Sequence, residues 1–485
     1  MKKLNIIIYM LVATLCSSCL DDFLTIKPLA TITNEVYWQS ESDARSELNA
    51  AYAHLQSAYK TGFLYWTEAR GDNFLGNVTG SRPVQNVTFN KINATHNSAN
   101  WNDWYKMISV ANYGIHFIPT MTGKLEETTQ NHLLSEAYFL RAFAYFNLYR
   151  IWGDVPLITE PVLKKSEVTK PCVTGKDTVF ACVVSDLEKA VKLVDVTVDN
   201  IFIYSPGALY ALCTDVAMWA KDYEKAVEYS QMLYDLKKYT LNGVDFADVC
   251  AVATTTDNIW TLKWSYSVNG ENTITSTLGN SSNPLIPNKL IYDKWSAWEK
   301  EAGALDARRA ATIDSIKYKS YTSKHANRLP AGCQTWKWSP GKHLAQSEYQ
   351  ECYIPIYRLA DIILLRAEAL NKLGRMNEAI AEMNKIRVRA GLPGKDLAYY
   401  GGDSEKLDSD IFQERQFELF AEGKRWFDLM RTDRVESVMN DYFENYIAKY
   451  GGTGYRLFME EWMHYWPIHT DILNENENLH QIGEY

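Results

Sequence analysis

The chain carries none of the short signatures that mark common catalytic machinery. Its 485 residues contain no Gly-x-Ser-x-Gly, no His-Glu-x-x-His and no Gly-x-x-x-x-Gly-Lys. That removes the nucleophile elbow, the helix-borne zinc pair and the phosphate loop. No block of positive charge occurs: 59 acids face 50 Lys and Arg, for a net charge of −9. An acidic chain without a basic stretch argues against a nucleic-acid partner. No long apolar run follows Leu15, so no later segment is expected to cross a bilayer as a helix, which takes about 20 residues. Cysteine is sparse. Beyond position 19 there are Cys172, Cys182, Cys213, Cys250, Cys333 and Cys352, with no Cys-x-x-Cys pair for a zinc ribbon. No Asp-x-Asp-x-Asp-Gly run supports a calcium loop. No metal and no cofactor are expected. The paired carboxylates of a glycosidase are a spatial arrangement, and the sequence singles out no pair among its acids.

What is present begins at the N-terminus. Lys2 and Lys3 precede a mostly apolar run from Leu4 to Leu15, followed by Ser17-Ser18-Cys19. A basic head, a short apolar region and small residues before a cut site form a secretory signal. Residues 1–18 are read as that signal, and Ser17-Ser18-Cys19 resembles a bacterial lipobox, which makes Cys19 the lipidated first residue. Each buried CH₂ of an acyl chain contributes roughly 0.8 kcal/mol of membrane affinity, and two or more chains anchor stably. An exported compartment permits disulfides, although a chain of this size does not need them. Loss of the leader takes the net charge to −11.

Aromatic residues make up 13% of the chain, including 15 Trp and 31 Tyr. Most are needed for the core, because rings bury large apolar areas. The surplus leaves material for a surface on which flat sugar faces stack.

Helical periodicity dominates the remainder. Helical segments are expected at about 41–60, 101–118, 133–152, 177–194, 206–237, 359–390 and 410–431. Leu48, Ala51, Tyr52, Leu55 and Tyr59 mark the buried side of the first. Pro119 and Gly153 should end the second and third. Trp101 and Trp104 read as core, as does Cys213 on an apolar helix face. Two segments resemble tetratricopeptide units, with Ala226 and Ala379 at the small position where paired helices cross closely. They lie too far apart for a continuous solenoid. Polar, irregular stretches fill about 61–100 and 254–350, with a strand expected over 258–267 and Trp260 in its core. Loops this long are usually functional or disordered, and these carry aromatics.

The most ordered motif runs from Gln413 to Arg431. On one helix, Glu414, Glu418 and Glu422 would share a stripe, Arg415 would meet Glu418, and Arg425 would meet Glu422 or Asp428. Gly423 would sit at a close crossing beside Trp426. The set reads as a semi-buried ion network, since buried charges persist when paired.

Several stretches point together. They are Cys19-Leu20-Asp21-Asp22-Phe23-Leu24 with Pro28; Glu136-Ala137-Tyr138-Phe139-Leu140-Arg141-Ala142 through Gly153-Asp154-Val155-Pro156-Leu157; and Arg358-Leu359-Ala360-Asp361 with Leu365-Arg366-Ala367-Glu368-Ala369. The 413–431 motif and a tail of Pro467-Ile468, Asn474, Asn476, Leu479, Gln481 and Tyr485 complete the set. In this order they resemble the SusD/RagB family of bacterial surface lipoproteins. The tail departs from the pattern: His469 and Glu477 stand where prolines are usual, and Gly483-Glu484 replaces a Pro-Gly.

The resemblance implies a mainly α fold over a single domain, 19–485. Tetratricopeptide-like helix pairs would form a scaffold, and an irregular loop-rich face with a few short strands would meet ligand. It also implies a lipid-anchored, surface-exposed protein of the outer membrane. Such a protein would bind glycans without catalysis and pass them to a SusC-like TonB-dependent transporter. Asp21-Asp22 is similar to the family's outward export signal. Peptide capture in the same lid role and a surface glycoside hydrolase are the competing expectations. Family motifs do not fix ligand residues, so they are ranked by chemistry: rings beside amide, carboxylate or guanidinium groups. These are Tyr65, Trp66, Arg70, Asp72 and Asn73; Trp264 and Tyr266; Trp295 and Trp298; and Trp336 and Trp338.

Overall fold

The computed structural model describes residues 37–76, 82–241, 249–250, 256–270, 272–278, 285–313, 352–450 and 453–485. The signal segment, Cys19, Trp336 and Trp338 lie outside the described residues. Helix α1 spans Glu41–Trp66 and starts at a capping box, in which Ser40 and Asp43 satisfy each other's backbone amides. It outruns the expected 41–60 because Gly62 lets the Trp66 ring fold back along the helix; a Cβ there would lie 2.1 Å from Trp66 Cζ2. Strand β1 (Phe74–Gly76) follows, then α2 (Asn102–Phe117) and α3 (Glu127–Trp152). Pro119 falls in a single 3₁₀ turn after α2, and Gly153 ends α3 at φ 76°.

Helix α3 is the axis of the molecule. Most of its residues are buried, on every face. Its polar groups are therefore paired inside. Arg150 lies 3.3 Å from Asp215 and between the rings of Phe146 and Phe427. Glu136 accepts from the Tyr52 hydroxyl at 2.5 Å.

Helices α4 (Lys176–Leu193), α5 (Pro206–Trp219) and α6 (Tyr223–Asp235) come next. The last two form one tetratricopeptide-like pair. The second pair is α8 (Leu359–Lys372) and α9 (Met376–Arg389). Ala226 and Ala379 are fully buried, as close crossings require. Helix α8 packs against both α5 and α6, so pairs distant in sequence stand side by side.

Between them run β2 (Asn258–Trp264), β3 (Leu285–Pro287), α7 (Lys289–Ala302) and β4 (Cys352–Arg358). Two antiparallel ribbons result, β1–β3 and β2–β4. Strand β2 stops short of the expected 267. Opposite Thr261 stands Pro355, which has no N–H, and the register shifts there. Thr261 turns its own N–H to Ile201 O at 2.7 Å.

The expected continuous helix over 410–431 is two helices, α10 (Ser404–Glu418) and α11 (Arg425–Arg431). The break passes through Ala421 at φ 65° and Gly423 at φ 77°. Periodicity continued through it because both halves face the same core. Among the described residues no helix is long and apolar enough to cross a membrane.

Candidate ligand surface

The first aromatic loop is interior. Trp66 is 3% exposed and donates from Nε1 to Ser98 O at 2.7 Å. Arg70 gives its guanidinium to the carbonyls of Met463, His464 and Tyr465 at 2.5, 3.0 and 3.3 Å. It lies 4.2 Å from the Trp426 ring centroid, and burial brings its pKa down to about 10. Asp72 receives Arg425 at 2.7 and 3.1 Å, Lys294 at 3.1 Å and Gln416 at 3.2 Å. Burial opposes ionisation of Asp72, and the charges of Arg425 and Lys294 overcome it, holding the carboxyl well below its usual range. Asn73 donates to Glu68 and accepts from Gln416. Tyr65 is half-buried, edge-on to His96. These groups were expected to face ligand; they are consumed by partners across the chain.

The 413–431 motif supplies many of those partners. Its charges are buried and paired, but not as helical spacing suggests. Arg415 meets Asp361 at 2.9 Å and Asp428 at 3.0 Å instead of Glu418. Arg425 meets Asp72, not Glu422 or Asp428. Glu414 faces Arg308 at 2.6 Å and Arg387 at 3.2 Å. Glu418 faces Arg358 at 2.6 Å, Arg308 at 3.1 Å and Arg389. Glu422 holds Arg358 at 2.7 and 2.9 Å. The helix break points Glu422 at Arg358 and the Gly423 N–H at Glu68, 2.7 Å away. Gly423 is a close crossing: a Cβ would meet Phe63 at 2.4 Å, and its positive φ favours glycine. Trp426 is 1% exposed. Carboxylates so thoroughly matched to guanidinium groups are a structural seam.

The other described candidate tryptophans, Trp295, Trp298 and Trp264, are also core. Trp295 is fully buried, stacks on Phe417 at 4.6 Å and donates to Asp306 at 2.9 Å. Trp298 lies beneath Arg387 and Lys395, with centroid distances of 5.0 and 4.6 Å. Trp264 is 2% exposed and donates to Gly270 O. That bond braces the turn carrying Tyr266, which is 37% exposed.

Tyr266 does not stand alone. Asn269 on the same turn donates to Gln56 of α1 at 3.0 Å, and Gln56 donates to Lys263 O at 2.8 Å. Lys263 is the outward residue of β2 and sits opposite half-exposed Tyr353 on β4. The Tyr353 and Phe202 rings are 6.1 Å apart. Rings, two side-chain amides and an ammonium therefore share one accessible patch. Gln56, Phe202, Lys263 and Tyr353 were not among the expected ligand residues. The signal was Lys263, the polar break in an otherwise buried strand. Stacking surfaces plus donors and acceptors suit a polyhydroxylated ligand. Among the described residues no group of His, Cys, Asp and Glu is placed to hold a metal ion.

Two family models match this chain: one described as the SusD family, over residues 259–485, and one described as "Starch-binding associating with outer membrane", over residues 22–217. The chain belongs to the SusD family. A SusD-like protein of Formosa agariphila is 28% identical over 90% of this chain and 93% of its own. The starch-binding protein SusD of Bacteroides thetaiotaomicron is 27% identical over 32% of this chain and 26% of its own. In fold, the chain is similar to a solved SusD superfamily protein of Bacteroides vulgatus, with TM-score 0.75 at 18% identity. That match covers 93% of this chain and 100% of that one. It is also similar to a solved structure described as a laminarin-binding SusD-like protein, with TM-score 0.72 at 21% identity, over 92% and 100%. The SusD-family matches take in both halves of the patch: Gln56 and Phe202 in the first span, Lys263, Tyr266 and Tyr353 in the second.

Proposed function

We propose that this protein is a non-catalytic glycan-binding lipoprotein of the outer membrane, anchored at the cell surface through Cys19. It captures oligosaccharides and delivers them to a SusC-like TonB-dependent transporter. The observation that carries the reading is an accessible aromatic–amide patch, Tyr266, Tyr353, Phe202, Gln56 and Asn269, on a chain of the SusD family. Relatives bearing the words starch-binding and laminarin-binding support the ligand class. The Ser17-Ser18-Cys19 and Asp21-Asp22 motifs support the anchor and its outward address. Two acyl chains or more suffice to hold a protein on a bilayer without a spanning helix.

The test uses mature protein from Leu20 onward, without Cys19, screened against laminarin, starch and a broad panel of host, plant and microbial glycans. Saturable binding to one class, with no release of reducing ends, is the expected result. Folded protein that ignores every glycan but binds peptides overturns the ligand. Turnover of a bound glycan overturns the non-catalytic role.

A further inference from the structure

A second concavity opens on the helical side of the molecule. A cleft of about 490 Å³ lies between α2, α3, α4 and the extended residues 159–161. Its volume falls in the range of about 300–1,000 Å³ typical of small-molecule sites. The floor is built from buried charge. Arg141 of α3 donates to Asp186 of α4 at 2.7 and 2.9 Å, and to Asn112 Oδ1 and Thr159 O at 2.9 Å each. Asn112 donates in turn to Ile158 O. The floor is thus rigid and close to neutral.

The rim differs. His116, Glu160 and Ser185 have no side-chain hydrogen bond among the described residues, and all are at least partly exposed. Lys189 reaches over the half-buried Tyr138 ring at 5.2 Å from its centroid, with its ammonium 3.6 Å from Asp186. The rim therefore presents an acceptor-only carboxylate, a donor-only ammonium and two groups that do both, beside one aromatic wall. A ligand of single charge is repelled by one side of this set. Hydroxyl groups, each donor and acceptor, match all of it.

We infer that this cleft is a separate carbohydrate site, taking a mono- or disaccharide or the end of a longer chain. It is distinct from the aromatic patch. Ser57 of α1, beside Gln56, bonds Asp103 at the start of α2. His116 lies near the other end of that helix, about 20 Å away at 1.5 Å per residue. The inference rests on the chemistry of the cleft and stands whether or not the patch binds glycan.

Cys182 lies in the cleft wall with a half-buried thiol that burial and Asp186 push up to about 11, so binding is read by protection from a maleimide at mildly alkaline pH over long exposure. The mature protein is titrated calorimetrically with glucose, galactose, glucuronic acid, maltose and laminaribiose, and Cys182 labelling is followed by peptide mapping. At least one sugar is expected to bind saturably and slow Cys182 labelling. Glu160→Gln and Ser185→Trp should each raise the sugar concentration needed to protect Cys182 by about tenfold or more, while any binding at the aromatic patch leaves Cys182 labelling untouched. The inference is overturned if no probe protects Cys182 in the folded protein, or if that protection survives Ser185→Trp.

Discussion

The Tyr65–Phe74 loop and the turn after β2 are written in similar residues: an aromatic pair, then a side-chain amide. One is among the most buried of the described segments, and the other is partly open to solvent. The difference lies in what the rest of the chain offers. Asp72, Asn73 and Arg70 find Arg425, Gln416 and the carbonyls of the tail, so their polarity is spent inside. Asn269 bonds Gln56 at the surface, and Tyr266 is 37% exposed. Composition names residues that suit a sugar; only distant partners decide which remain available.

The sharpest way to break this comparison is at the seam. Arg358→Met leaves Asp257, Glu418 and Glu422 buried without their shared cation. Removing one member of such a set costs about 3–5 kcal/mol, read as a fall in the urea midpoint. A loss below about 1 kcal/mol would show that the seam does not hold the halves together. Trp66→Ala, on the buried side, should cost about 3 kcal/mol of stability and leave glycan affinity of the folded protein unchanged. If affinity falls instead while stability holds, the first loop is a ligand site after all.

Tyr353→Ala, on the open side, should do the reverse. Glycan affinity drops by about 2 kcal/mol, roughly thirtyfold, with the denaturation midpoint little changed; unaltered affinity removes Tyr353 from the patch.

Acid probes the seam as a whole. Burial raises the Asp361 carboxyl, but Lys424 at 2.8 Å and Arg415 at 2.9 Å outweigh it and bring it to about 2. A carboxyl depressed in the folded state contributes stability above its unfolded value near 4, which is lost as pH falls towards 2. The contribution from Asp361 is of order 2 kcal/mol, so unfolding free energy should fall steeply below pH 4. A flat acid limb contradicts the pairing.

The smallest effect lies elsewhere on α3. Burial pushes Glu136 up to about 7, with the Tyr52 hydrogen bond restraining the rise. A raised carboxyl costs stability as pH climbs from its unfolded value near 4.5 to 7. Glu136→Gln removes that penalty, so it should gain stability at pH 8 and flatten that part of the pH–stability curve.

Much of the fold was legible because its signals are local. The stripe Leu48–Tyr59, the stop at Gly153 and the small residues Ala226 and Ala379 each depend on near neighbours, and each stands where periodicity and turn chemistry put it. The ion network was legible as a set and not as pairs. Arg425 meets Asp72 across 353 residues, and no helical rule carries that distance. The break at Ala421 was hidden because both helices bury the same kind of side chain. The patch was read in part, through Tyr266. Tyr353 reaches it through strand pairing and Phe202 through a bend bonded to β2 at Thr261, neither of which one strand's sequence discloses.

The Gly423–Glu68 and Arg425–Asp72 contacts also bear on the order in which the molecule can be made. A ribosome delivers α1 and its exit loop some 350 residues before their partners. Until then Glu68, Asp72 and Arg70 have no place in a dry interior. Contacts of such span are slow to close, and a fragment ending before α10 has no means of closing them. The protein should reach its native state only once its last fifth is present. That would suit the proposed export, in which the chain stays unfolded until it arrives.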